Sequence, residues 1–168
     1  MAERKSAAPE GTPAIIPYLV VKGAAGAIEF YKKAFGAKKK MALQMGDRVG
    51  HAEMEVGGGT FMLADEFPDM GAVGPKALKG TPVTMVLQVA NVDKAMAKAE
   101  AAGATVKMPA SDMFYGHRMG QLEDPYGHRW MLQKELEKLT PRELQKRMNA
   151  MMAQHAAAAA PAKKGKGK

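Results

Sequence analysis

The chain predicts an α+β fold of two successive βαβββ modules followed by a C-terminal helix, and three observations in its 168 residues carry that prediction. Short β-branched runs alternate between apolar and polar residues, two longer stretches place apolar residues at helical spacing, and the whole order repeats once. Leu19-Val20-Val21 corresponds to Leu87-Gln88-Val89 and Gly36-Ala37 to Gly103-Ala104, the offset passing from 68 to 67. Phe61-Met62-Leu63 then corresponds to Trp130-Met131-Leu132 at an offset of 69, a drift that small insertions explain.

In the first module, residues 15–21 read as a strand that tolerates Pro17 near its start. Ala24, Ile28, Tyr31 and Phe35 form one helical stripe, which Gly36 ends. Strands are expected over 41–45, 49–56 and 60–64, with turns at Gly46-Asp47 and Gly57-Gly58-Gly59. In the second module, residues 83–89 read as a strand, and Asn91 can cap a helix whose buried stripe is Val92, Ala95, Met96, Ala99 and Ala102. A short strand over 105–108, a loop from Pro109 to Gly116 and a hairpin turning at Asp124-Pro125-Tyr126-Gly127 complete it.

The modules span 14–65 and 83–134, and the Gly/Pro-rich stretch 66–82 between them is expected to be a linker or flexible flap. Residues 1–13 and 155–168 are expected to be disordered. A helix is expected within 135–154, with Thr140 as N-cap, Pro141 at N1, Glu143 at N3 and a Leu139/Leu144 staple. Its stripe of Leu144, Met148, Met151 and Met152 has to be covered by the domain or by a partner.

Composition closes off several function classes. There is no Cys, so thiolate metal sites, disulfides and cysteine nucleophiles are excluded. The formal net charge is +8, but residues 11–133 hold 14 Lys/Arg against 12 Asp/Glu, whereas residues 134–168 hold 9 against 3. The excess therefore belongs to the C-terminal end, and a specific nucleic-acid surface is not expected. No apolar run reaches membrane-spanning length and no signal core follows the N-terminus, so a cytoplasmic protein without a membrane partner is expected.

Two βαβββ modules, helices closed by Gly-Ala and the Asp124-Pro125-Tyr126-Gly127-His128 turn together resemble the vicinal oxygen chelate superfamily of glyoxalase, bleomycin-resistance and dioxygenase proteins. The resemblance covers about residues 14–134. Pro17-Tyr18-Leu19, Ala64-Asp65-Glu66-Phe67-Pro68 and Met113-Phe114-Tyr115-Gly116-His117-Arg118 are similar to its PhnB-like branch. The resemblance implies half-cup modules whose concave faces enclose a small-molecule cavity, and it implies a homodimer. It also implies that metal ligands, where present, stand on the first and last strands of each module. Those places hold Ile16, Met62, Thr84 and Met131, none of which is a donor suited to Mg, Mn, Ni or Zn. No metal and no other cofactor is therefore expected.

The expected cup holds Tyr18, Val20, Met62, Thr84, Val86, Gln88, Arg129, Met131 and Gln133, a composition suited to an organic ligand. His51 and Glu53 alternate onto the same face and form either an acid/base pair or a solvated edge. Arg129 can clamp an anionic group or pair with Glu53. His117 and Arg118 sit either at the mouth of the cavity or on a surface loop, and Tyr115 is the aromatic candidate for a lid. His128 is taken as structural, and Phe61 and Trp130 as core. The function expected is binding of a small organic ligand in a metal-free cavity. The alternatives are a glyoxalase-like lyase or isomerase using His51 and Glu53, and an interaction protein acting through its Met-rich helix.

Overall fold

Alternation decides which side of each strand faces the core, and the same register holds in both modules. The structure, a computed structural model, describes Pro13 and residues 15–159. The remaining residues, which hold most of the two ends expected to be disordered, lie outside it. The first module runs β1 (Tyr18–Val21), α1 (Ala24–Phe35), β2 (Lys38–Met45), β3 (Arg48–Val56) and β4 (Gly59–Asp65). The second runs β5 (Thr84–Gln88), α2 (Val92–Ala101), β6 (Thr105–Asp112), β7 (His117–Glu123) and β8 (Arg129–Glu135), and α3 (Pro141–Ala159) follows.

Each module is one four-stranded sheet, ordered β1-β4-β3-β2 and β5-β8-β7-β6. The first and last strands of each run parallel, with Tyr18 beside Met62 in one and Val86 beside Met131 in the other. These are the residues that the sequence repeat places in correspondence. Leu19, Val21, Met54, Phe61 and Leu63 of one sheet, and Leu87, Leu122, Trp130 and Leu132 of the other, join α1 and α2 in a single core. Tyr31 on α1 touches both sheets, with ring centroids 5.3 Å from Phe61 and 5.5 Å from Trp130. The two helices also pack on each other. The opposite faces, those expected to be concave, stay open: Tyr18 is 49% and Val86 54% exposed.

Several boundaries differ from expectation for local reasons. The first strand starts at Tyr18 rather than residue 15, because Pro17 has no N–H to give the ladder; its carbonyl still accepts from Met62 N at 2.8 Å. β2 extends back through Lys38-Lys39-Lys40, a lysine-rich edge strand of the kind that resists pairing with other chains. β6 continues past Pro109 to Asp112, because the proline falls within a register irregularity between Met108 and Ser111 on the other edge strand. Residues 134 and 135 belong to β8, and α3 begins at Pro141 and runs to Ala159, beyond the expected end at residue 154. The Thr140 cap forms as expected, its hydroxyl accepting from Glu143 N at 3.2 Å.

The stretch expected as a linker carries structure of its own. It contains a short 3-10 turn at Pro68–Met70 and a bridge between Phe67 and Ala72. Glu66 Oε1 accepts from Gly74 N at 2.8 Å, and a Cβ on Gly74 would meet the Val20 carbonyl oxygen at 2.7 Å. Only glycine permits that approach.

Candidate functional site

On the open face of the first sheet, Tyr18 and Glu53 flank Met62 from the neighbouring strands. His51 lies two residues before Glu53 and so points to the same side. The Tyr18 hydroxyl is 3.0 Å from His51 Nδ1, and His51 Nε2 is 3.6 Å from Glu53 Oε1. One consistent arrangement of protons has Nε2–H facing the carboxylate while Nδ1 accepts the Tyr18 hydroxyl. The three groups then form a directional array on an accessible surface, able to pass a proton or to orient a polar ligand group. His51 and Glu53 are thus brought together as expected, with Tyr18 joined to them.

The second sheet presents Thr84, Val86, Gln88, Met119, Gln121, Arg129, Met131 and Gln133 on the corresponding face. Thr84, Gln88 and Arg129 are exposed, whereas Met131 and Gln133 are partly covered. Arg129 stands opposite both Thr84 and Glu123 on the adjoining strands. The expected alternative of an Arg129–Glu53 pair is not formed among the described residues. The two faces belong to separate sheets, and both are turned away from the helices that hold the sheets together.

Two other candidates stand elsewhere. Arg118 lies in β7 rather than in a loop, and its side chain is on the α2 side, held by Asp93 at 2.7 Å and Asp112 at 2.7 Å. The hydrogen bond from Arg118 draws the Asp93 carboxyl below its usual range, and the two carboxylates hold the guanidinium even more firmly protonated. This is a surface clamp joining α2 to the β6–β7 hairpin. Tyr115, expected as a lid, packs on Phe114 and His117 and helps line a groove with Leu144 and Met148 of α3. Burial raises its phenol pKa. Arg147 fastens α3 there, donating to the Phe114 carbonyl at 3.3 Å and to Glu137 at 2.9 Å.

The strongest polar features are two buried carboxylates that the sequence reading treated only as turn or strand-end residues. Asp65 accepts from Gly23 N, Ala24 N and Val49 N, each at 2.8 Å, and so supplies the cap that α1 lacks from its own N-cap glycine. Asp124 accepts from Tyr31 Oη at 2.7 Å, Trp130 Nε1 at 3.0 Å, and the backbone N–H groups of Tyr126 and His128. Burial, reinforced by the Asp124 charge, pushes the Tyr31 phenol far above its ordinary value. Asp124-Pro125 was visible as a turn; its partner Tyr31, 93 residues away, was not.

A divalent cation finds no suitable donors at the places the resemblance implies. Met62, Thr84 and Met131 offer two thioethers and a hydroxyl, and Ile16 offers nothing. Among the described residues no three His, Asp or Glu side chains come together as a metal-binding group.

Comparisons with known proteins agree with this architecture. The family model described as Glyoxalase/Bleomycin resistance protein/Dioxygenase superfamily matches residues 14–132. The uncharacterized protein Rv0887c of Mycobacterium tuberculosis is 39% identical over 142 residues, covering 82% of this chain and 84% of that protein. The crystal structure of the Arabidopsis thaliana At5g48480 product superposes with a TM-score of 0.61 at 25% identity, covering 73% of this chain and 99% of that one. The fosfomycin resistance protein FosX of Listeria monocytogenes, complexed with Mn(II) and sulfate, superposes with a TM-score of 0.59 at 18% identity, over 82% and 98% of the two chains.

Proposed function

The chain belongs to the glyoxalase/bleomycin resistance protein/dioxygenase superfamily, and from that premise we propose that it binds a small organic ligand without a metal, between open sheet faces closed by a second copy of the chain. One observation carries the reading. Among the described residues both helices of the modules pack on one side of the sheets, while on the other side Met119 is covered but Tyr18, Val86 and Leu43 are left 49, 54 and 55% exposed. Apolar sheet surface of that kind needs a cover, and a second copy offers the same surface in return. The mixed lining of Met62, Met131, Gln88 and Gln133 suits an apolar body with a few polar groups.

Light scattering of the purified chain is expected to give a dimer. A thermal-shift panel of aldehydes, thiol adducts and aromatic antibiotics, run after chelation, is expected to contain a ligand that raises the melting temperature. A monomer that no compound stabilises is the opposite result. Stoichiometric Ni, Zn or Mn retained through His51 in elemental analysis would overturn the metal-free reading.

A second reading, a lyase or isomerase, is favoured by the Tyr18, His51 and Glu53 contacts. In it Glu53 holds the imidazole in one tautomer while His51 exchanges a proton with the ligand and Tyr18 hydrogen-bonds it. A ligand from the panel is then expected to exchange deuterium from solvent with the wild type. His51→Ala is expected to abolish that exchange and Glu53→Gln to slow it about 10²-fold. Binding without exchange returns the first reading.

A further inference from the structure

A slot of about 350 Å3 lies where β1 meets the 66–82 segment and the start of β5. Leu19 and Pro75, both buried, form its floor, and its rim carries Tyr18, Leu78 and Val83, which are 49, 64 and 60% exposed. Single exposed apolar residues need no explanation, but three gathered around one apolar concavity do. The walls are preformed. Glu66 N donates to the Val21 carbonyl oxygen at 3.1 Å and Gly74 lies close against Val20, which fixes the segment to β1. Within it Gly74 N donates to Glu66 Oε1 at 2.8 Å, and Leu78 N and Gly80 N donate to Gly74 O at 3.2 Å and Pro75 O at 2.9 Å.

Three polar side chains reach the slot, and two are already engaged. The Tyr18 hydroxyl is turned to His51, and the Thr81 hydroxyl accepts from Val83 N at 3.2 Å. The third is His128, whose Nε2 lies 3.0 Å from the Val20 carbonyl oxygen. A carbonyl only accepts, so Nε2 is the donor in this contact, and in that tautomer Nδ1 is the ring's acceptor.

We propose that this slot is a second small-molecule site, taking a planar aromatic ligand of one or two rings that carries an N–H or O–H donor for His128 Nδ1. Its volume falls in the range of ligand pockets. The slot shares Tyr18 with the open sheet face but takes its other walls from the 66–82 segment, the start of β5 and His128.

The test titrates 5-fluoroindole into the full chain, followed by fluorine NMR. Saturable binding at one site per chain is expected. Leu78→Trp, which fills the slot from its rim, is expected to weaken binding at least tenfold without lowering the melting temperature. Leu136→Trp puts the same bulk on a residue just after β8 that is 51% exposed and is expected to leave binding unchanged. The N-methylated probe, lacking the donor, is expected to bind at least fivefold more weakly. Absence of saturable binding, equal affinity for both probes, or indifference to Leu78→Trp would each overturn the proposal. A change of oligomeric state in Leu78→Trp with binding intact would do so too, by assigning the rim to a second copy.

Discussion

The two modules share a backbone register yet present different chemistry on their open faces. Where the first shows Tyr18, His51, Glu53 and Met62, the second shows Val86, Met119, Gln121 and Met131. The difference teaches that the repeat sets geometry while single substitutions set polarity. The first module sets Tyr18, His51 and Glu53 in mutual contact, whereas the contact in the second is a simple ion pair of Lys107 with Glu123 at 3.2 Å. Their inner faces stay alike, with Phe61 and Trp130 at equivalent places and both against Tyr31. The buried carboxylates differ again: Asp65 ties elements within its own module, whereas Asp124 reaches across to α1 of the other.

That last contrast yields the largest expected effect. Asp124→Ala leaves Tyr31 and Trp130 without their acceptor and is expected to cost about 3–5 kcal/mol in urea unfolding. Asp65→Ala removes a cap within one module and is expected to cost about 2–3 kcal/mol. Equal losses would break the distinction between a lock joining the modules and a local one.

The open faces give the next test. Met119 is only 3% exposed, and Met119→Ala is expected to lose about 2–3 kcal/mol. His51→Ala, at the equivalent place, is expected to cost less, about 0.5–1 kcal/mol, since its side chain is 26% exposed and its partner Glu53 keeps access to water. A large loss in His51→Ala would make the Tyr18, His51 and Glu53 array structural.

Tyr31→Phe removes one donor to Asp124 and is expected to cost about 1–2 kcal/mol at neutral pH. The pH dependence has a definite sign. The folded phenol titrates above its unfolded value, so its contribution is complete below about pH 10 and is lost as pH rises further. The alkaline limb of the wild-type stability curve is therefore expected to flatten in Tyr31→Phe.

The smallest effect belongs to the surface clamp. Asp93 titrates below its unfolded value because of Arg118, so its contribution is present above that value and is lost as pH falls. In Arg118→Gln the acid limb of thermal unfolding is expected to move to slightly higher pH, with the ligand response of the sheet faces unchanged.

Much of the fold was legible because its signals are local. The period-two alternation at Tyr18, Val20, Met62, Val86, Met131 and Gln133 assigned each side chain to its observed face, and the repeat offsets put Met62 and Met131 at equivalent places, which the structure shows beside Tyr18 and Val86 respectively. Pro109 misled, because a proline argues against a strand unless its position in the sheet is known to be an irregular edge. Arg118 misled as well: a charge beside glycines reads as a loop, and its partner Asp93 is 25 residues away.

By itself, then, the sequence determined the modules, their order and which residues face away from the helices, since periodicity and turn chemistry are properties of neighbours along the chain. Tertiary structure alone decided that both helices share one core with the two sheets. It also decided that Asp124 binds Tyr31, that Tyr18 meets His51, and that the 66–82 segment walls a slot. Each of these depends on distances between residues far apart in sequence, which no local pattern encodes.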